Sequence, residues 1–431
     1  MRSLVAVLLL LSAWPAWAEP QTWVLSVDRW GNAERSTLTL EGEGDALSGR
    51  LNDLAVEGRR EGDHLIFTAV DSDGGRYRFE AAQAGDVLSG WADYPDTNTP
   101  DARAKHAFTA QRLEIPAGPP QRRTYDPETF SNTFTADRAP VMVIRPGDVI
   151  ATRTIDSGGV DEHGRTVALY GNPQTGPFFI VGANPGDVLA VHIRKLALNR
   201  DYADSLDGFT SSAMPLRLAA RSADLGQRVR WRLDRTAGTA RLENPPAGLK
   251  DYVVPVRPML GGVGVAPDFG FAPFSTGDTG RFGGNMDFNQ LGQGATLYLP
   301  VYQPGALLFL GDGHALQGDG ETTQWALETS LDVEFSVEVL SSRPLSSPRV
   351  ETAEAITVIG QSSSLDEAVR AATGSMIQWL EQDYGLSVSE ASMVLGTAAQ
   401  YRVVTLAGRN AGMALSLDKT QLRDLPRKPG K

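Results

Sequence analysis

The chain has 431 residues, 41% hydrophobic and 21% charged, an ordinary mixture for two or three globular domains with sizeable cores. Its formal charge of -12 argues against the basic patches that nucleic-acid binding requires. The absence of cysteine removes disulfides, thiolate metal sites, cysteine nucleophiles and lipoprotein anchors, and leaves catalysis to hydroxyls, carboxylates, five histidines or a metal held by oxygen and imidazole.

In chain order, residues 1–18 combine Arg2, an apolar run from Leu4 to about Ala13, Pro15 and the small-x-small triplet Ala16-Trp17-Ala18. This pattern predicts a cleaved secretory signal peptide, a mature chain beginning at Glu19 and a periplasmic or secreted location. No later stretch reaches the roughly 18 apolar residues of a membrane span, so no membrane association is expected after cleavage.

Residues 19–114 alternate in short runs separated by Gly-Asp turns, with GD-x-LSG at Gly44 to Gly49 repeated at Gly85 to Gly90 and GDHLIF between them. Gly-Asp flanked by alternating residues is a hairpin pattern, and a small antiparallel β domain, a partly closed barrel or half-sandwich, is expected. Phe79 and Trp91 are candidates either for its core or for a ligand pocket. Residues 115–127, rich in proline and charge, read as a linker.

From residue 128 to the C-terminus the texture changes. Three x-Pro-Gly turns launch apolar runs, IRPGDVIATRTI, ANPGDVLAVHI and YQPGALLFL, which predicts a mainly β domain built as a β-sandwich. The glycine-rich connection between Met259 and Asp287 is longer than an ordinary loop, a length usually kept for function. Capping-box pairs Ser364/Glu367 and Ser387/Glu390, with a stop at Gly385, predict a helical hairpin over about 364–400 that packs on the sandwich.

The chemistry concentrates in GDGHALQGDGE, residues 311–321. Asp312, His314, Gln317, Asp319 and Glu321 crowd into one glycine-rich turn at the end of a buried strand. On extended backbone Asp312 and His314 share a face, so one ion could see both. Carboxylates this close repel unless a cation or proton is shared. Two further clusters are TIDSGGVDEHG, with Asp156, Asp161, Glu162 and His163, and GGNMD, with Asn285 and Asp287. His192 sits on a predicted strand and could face either the site or a partner in the sheet.

GGNMD, LYLPV and GDGHALQGDGE, with GNPQTGPFFIVGANPGDVLAV and GGVGVAP, resemble the acetamidase/formamidase family over roughly Pro127 to Val404. The signal peptide, DEHG and LNRDYA resemble a secreted bacterial branch. The N-terminal β domain lies outside the family pattern, as do Gly313, Leu316 and the non-acidic segment around Gln400. The resemblance implies a β-rich sandwich with a smaller C-terminal helical part, cleavage of short linear amides to ammonia and a carboxylate, a divalent metal near the acidic motifs, and a homo-oligomer.

Carried over, the family motifs place Asp312, His314, Gln317, Asp319 and Glu321 at the site and match Asp156, Asn285 and Asp287; among these a metal is expected at Asp156, Asp312, His314 and Asp287, and substrate beside Gln317, Asn285 and Gly318. Glu321 is the expected general base, with Asp319 and His314 beside it. Zinc or calcium is the first expectation, though such a donor set also suits magnesium or manganese. Two alternatives stay open at this point: a metal-dependent hydrolase of a larger amide, and a non-catalytic periplasmic binding protein on the same fold.

Overall fold

The computed structural model describes residues 19–99, 102–222, 224–341 and 343–428. The expected signal peptide, residues 1–18, lies outside the described residues. The described residues divide into two compact units, the first ending at Glu114 and the second beginning at Ile115.

In the first unit eight antiparallel strands close into a barrel: β1 (Gln21–Arg29), β2 (Asn32–Glu43), β3 (Ala46–Leu51), β4 (Leu54–Glu61), β5 (His64–Val70), β6 (Arg76–Ala84), β7 (Val87–Pro95) and β8 (Arg103–Arg112). Closure comes from β1 pairing with β8, Trp23 opposite Arg112 and Val27 opposite Phe108. Every strand pairs with its sequence neighbour, as short Gly-Asp hairpin turns require. The repeated LSG has a structural explanation. A Cβ at Gly49 would collide with the Thr39 carbonyl and one at Gly90 with the Glu80 carbonyl, so both glycines permit close approach of the adjacent strand. Phe79 stacks on Phe67 at 4.8 Å inside the barrel, whereas Trp91 faces outward and is exposed. The two residues therefore line no common pocket.

The second unit is a β-sandwich. A nine-stranded sheet centres on Val188–Leu198, paired on one side with Leu331–Leu340 and on the other with Thr296–Pro300. A six-stranded sheet centres on Leu308–His314, flanked by Gln174–Ile180 and Met259–Val265. Side chains of both sheets form one core, in which Phe178 meets Phe335 with ring centroids 5.2 Å apart. The segment expected as a linker is incorporated here. Arg122–Thr124 forms an edge strand parallel to Val149–Arg153, and Gln121 N–H donates to buried Asp148.

Helix Leu365–Tyr384 begins at Ser364, whose hydroxyl accepts from Glu367 N–H, and ends at Gly385 in the left-handed region at φ 70°. Its buried stripe, Ala368, Ala372, Met376 and Leu380, packs on strands Ala355–Ser362 and Ala411–Asp418. Gly360 permits this contact, since a Cβ there would strike the Ala368 carbonyl. Helix Val388–Ala398 opens with a complete Ser387/Glu390 capping box. No helix among the described residues is long and apolar enough to cross a membrane.

Candidate active site

The site forms where the six-stranded sheet ends. Strand Leu308–His314 brings Asp312 and His314 into the interior, each about 1% exposed. The expected shared face is produced differently from a regular strand, because Asp312 adopts φ 55°. Their functional atoms still converge, with His314 Nε2 3.5 Å from Asp312 Oδ1. Of the four glycines in the motif, only Gly320 takes a positive φ. Gly311 and Gly313 instead leave room for Gln174 and for Leu331 with the Thr329 carbonyl.

Asp287 approaches across the sheet, following the short strand Gly283–Asn285, which pairs with Met259–Val265. The glycines of MLGGVGV make this possible. A Cβ at Gly261 would meet Asp312 Oδ2 and, at 2.8 Å, Asp287 Oδ1, and one at Gly262 would meet Gln174. Asn285 Nδ2 donates to Asp287 Oδ2 at 2.8 Å. Asn172 Nδ2 donates to Asn285 Oδ1 at 2.6 Å and to Asp312 Oδ2 at 3.2 Å.

His314 is oriented from behind. Gln317 Nε2 donates to the Asp287 carbonyl at 2.6 Å, so Gln317 Oε1 accepts from His314 Nδ1, 2.9 Å away. This leaves Nε2 facing the carboxylates, 3.2 Å from Glu328 Oε1. Glu321 is buried, and Thr405 Oγ1 donates to its Oε2 at 3.3 Å.

The crowding has electrostatic consequences. Burial and then the Asp312 charge raise the Asp287 carboxyl to about 7. Burial and the Asp287 charge push Glu321 well above the ordinary carboxylate range, and burial followed by the Asp312 charge raises Glu328 despite nearby His314. For His314, burial opposes the charged form, but Glu328 and Asp312 outweigh it and hold the imidazole well above its usual value.

His314 Nε2, Asp287 Oδ1, Asp312 Oδ1 and Glu328 Oε2 are buried without a hydrogen-bond partner. Ligand atoms of Asp287, Asp312 and His314 lie within 4.8 Å of one another, as do those of His314, Glu321 and Glu328. Convergent, unpartnered carboxylate and imidazole atoms are a donor set that fits a divalent cation.

The sequence expectation thus divides. Asp287, Asp312, His314, Gln317, Asn285 and Glu321 come together. Asp156 does not, because it is committed to a buried ion pair in which Arg200 Nη2 donates to its Oδ2 at 2.7 Å. Asp319 and Gly318 are exposed, Asp319 accepting from Asn289 Nδ2 at 2.8 Å, so neither joins the buried cluster. Asp161 binds Arg165, while His163 is exposed beside Glu162. His192 bonds Thr296 within its sheet.

Glu328, Asn172 and Thr405 were not singled out by sequence. Glu328 reads as one more acidic residue in ALETSLDV and Asn172 as a turn residue before proline. Thr405 lies beyond the helical hairpin, at the end of strand Gln400–Thr405. A backbone bridge delivers it, Gly320 N–H donating to the Val404 carbonyl and Leu406 N–H to the Gly320 carbonyl.

Residues 275–407, which contain Asn285, Asp287, Asp312, His314, Gln317, Glu321, Glu328 and Thr405, match the model of the Acetamidase/Formamidase family. The larger unit is similar in fold and sequence to solved acetamidase and acetamidase/formamidase structures. An acetamidase structure from Yersinia enterocolitica has a TM-score of 0.61 and 28% identity, covering 70% of this chain and 93% of that one. A predicted acetamidase/formamidase from Thermoanaerobacter tengcongensis gives 0.60 and 27%, covering 71% and 98%. An acetamidase from Bacillus halodurans gives 0.60 and 26%, covering 70% and 99%. A Schizosaccharomyces pombe protein named as a formamidase is 54% identical over 61 residues, and the chain spans 15% of the length of that curated relative and 14% of its own. Acetamidase/formamidase likeness therefore rests on the sandwich and its site.

Proposed function

We propose that this site hydrolyses the C–N bond of a short linear amide to ammonia and a carboxylate. The observation that carries the reading is the closed cluster of Asp287, Asp312, His314, Glu321 and Glu328, which lies wholly within the family-matched segment.

Amide resonance weakens the carbonyl as an electrophile, so hydrolysis needs both carbonyl polarisation and a base that can activate water. Asp287, Asp312 and His314 are the residues that would hold a divalent cation, and an imidazole donor favours zinc over calcium, whose ligands are oxygens. Such an ion supplies Lewis acidity and lowers the pKa of water. Glu321 accepts a proton from the attacking water as the C–O bond forms. It returns that proton to the nitrogen as the C–N bond breaks, so its raised pKa suits both halves of the exchange. Gln317 holds His314 in the tautomer that turns Nε2 to the site, and Asn172 with Asn285 fixes the facing carboxylates.

The same reading assigns the chain to the periplasm or the exterior of the cell, with Glu19 as the mature terminus, and expects a homo-oligomer. N-terminal sequencing and light scattering test these two points. The activity is tested by ammonia release from formamide, acetamide and propionamide, before and after chelation and with zinc or calcium restored. Release that falls on chelation and returns with metal supports the reading. A folded, metal-loaded protein that releases no ammonia from any of the three refutes it.

A further inference from the structure

Two short segments leave the buried cluster, one carrying exposed Leu169 and Tyr170 and the other part-buried Trp325. Tyr170, two residues before Asn172, is 62% exposed, and its neighbour Leu169 is 77% exposed. Trp325 follows Glu321 by four residues, and the next N–H, that of Ala326, donates to Glu328 Oε1 at 3.0 Å. The two rings meet, with Tyr170 and Trp325 centroids 6.2 Å apart and the planes inclined by 39°.

These side chains stand on firmly held backbone. Asn132 Nδ2 donates to the carbonyls of Leu169, Tyr170 and Gly171, and Gly171 N–H donates to the Ser157 carbonyl. On the other arm, Thr323 Oγ1 donates to the Trp325 carbonyl at 2.8 Å. Thr210 N–H donates to the Thr322 carbonyl at 2.8 Å, which brings half-exposed Phe209 beside the same arm. A loop with satisfied backbone that keeps aromatic and aliphatic groups in water is arranged for contact with an apolar ligand. Formamide and acetamide offer almost no surface for such contact.

We infer that Tyr170 and Trp325 form an apolar collar at the site that selects primary amides carrying a flat apolar substituent over formamide and acetamide. The inference rests on the amide-hydrolysis reading. Each ring contributes through direct contact with the substituent, so its removal acts mainly on KM for the ring-bearing substrate.

The test compares phenylacetamide with acetamide in the full mature protein. Wild type is expected to prefer phenylacetamide by kcat/KM. Tyr170→Ala and Trp325→Ala should each lower the phenylacetamide-to-acetamide ratio about tenfold, whereas Tyr170→Phe retains it. A ratio unmoved by both alanine variants overturns the collar, as does an unmoved ratio with a changed oligomeric state, which would assign the face to contact between copies. Calorimetric titration with phenylacetamide separates the two levels of the argument. If wild type cleaves neither amide yet binds phenylacetamide about tenfold more tightly than Tyr170→Ala, amide hydrolysis fails and the collar stands. Absence of binding to wild type overturns the collar itself.

Discussion

Arg200 offers the sharpest test of how the site is held. Its guanidinium is 1% exposed and joins three pieces of chain. Nη2 donates to Asp156 Oδ2 at 2.7 Å and to the Glu328 carbonyl at 3.1 Å, while Nε donates to the Tyr202 carbonyl at 3.1 Å. Arg200→Met keeps the volume but leaves Asp156 as a buried, uncompensated carboxylate, a loss of about 3–5 kcal/mol. At about 2.1 cal/mol/K per residue over a unit of roughly 300 residues, the unfolding entropy is near 0.6 kcal/mol/K, so that unit should melt about 5–8 °C lower. Adding Asp156→Leu should recover most of the shift, because the stranded charge is then gone. Scanning calorimetry of wild type, both single variants and the double variant provides the cycle. A shift below about 1 °C for Arg200→Met would refute the assignment of Asp156 to an ion pair and return it to the list of candidate metal ligands.

Three further outcomes are expected. Glu321→Gln should reduce ammonia release by at least about a hundredfold while retaining bound metal, which paired turnover and elemental analysis would check; wild-type turnover would remove Glu321 as the base. Gly261→Ala places a methyl against Asp312 Oδ2 and Asp287 Oδ1 and should lower kcat at least about tenfold with little change in melting temperature, whereas undiminished kcat would show that the two carboxylates need not stay where they are. Asp287 titrates near 7 in the fold against an ordinary value of 3.8, so folding favours its protonated form. Its contribution to stability is therefore complete below pH 3.8 and is lost as pH rises through 7. Denaturant titrations of metal-free protein should show that decline, and zinc should flatten it; a stability that climbs between pH 5 and 8 in the metal-free protein, or an equal slope with zinc, would contradict it.

Local patterns were legible where local physics decides the structure. Gly-Asp turns with alternating flanks specify the hairpins of the barrel, and Ser364, Gly385 and Ser387 mark helix ends because each satisfies orphan backbone groups within a few residues. The pairing of Asp312 with His314 was visible because two residues on one strand need no knowledge of the rest of the fold. The remaining partners come from far away in sequence. Asn172 reaches Asp312 across 140 positions and Asn285 across 113, and Arg200 neutralises Asp156 from 44 positions downstream. Asp156 looked like a ligand because its Asp-x-Gly-Gly setting matches a site motif, yet the cation it meets is an arginine that sequence spacing could not associate with it.

Backbone conformation shows why the convergence of charge at this site is more than a loop accident. Nine described non-glycine residues adopt positive φ, and four of them are Asn172, Asp287, Asp312 and Glu321. Each such conformation costs about 1–3 kcal/mol and survives only where surrounding contacts over-determine it. Here they do: Asp287 is fixed by its N–H to the Gly261 carbonyl and by Gln317 on its own carbonyl, and Glu321 follows a glycine clamped between Val404 and Leu406. Strain and like-charge repulsion thus fall on the same side chains. A fold that maintains both is stabilised by whatever shares the carboxylates, a proton in the free site or a cation between Asp287, Asp312 and His314. That requirement explains why neutral, hydrogen-bonding Asn172, Asn285 and Gln317 surround the cluster: they hold its geometry without supplying the positive charge that would occupy it.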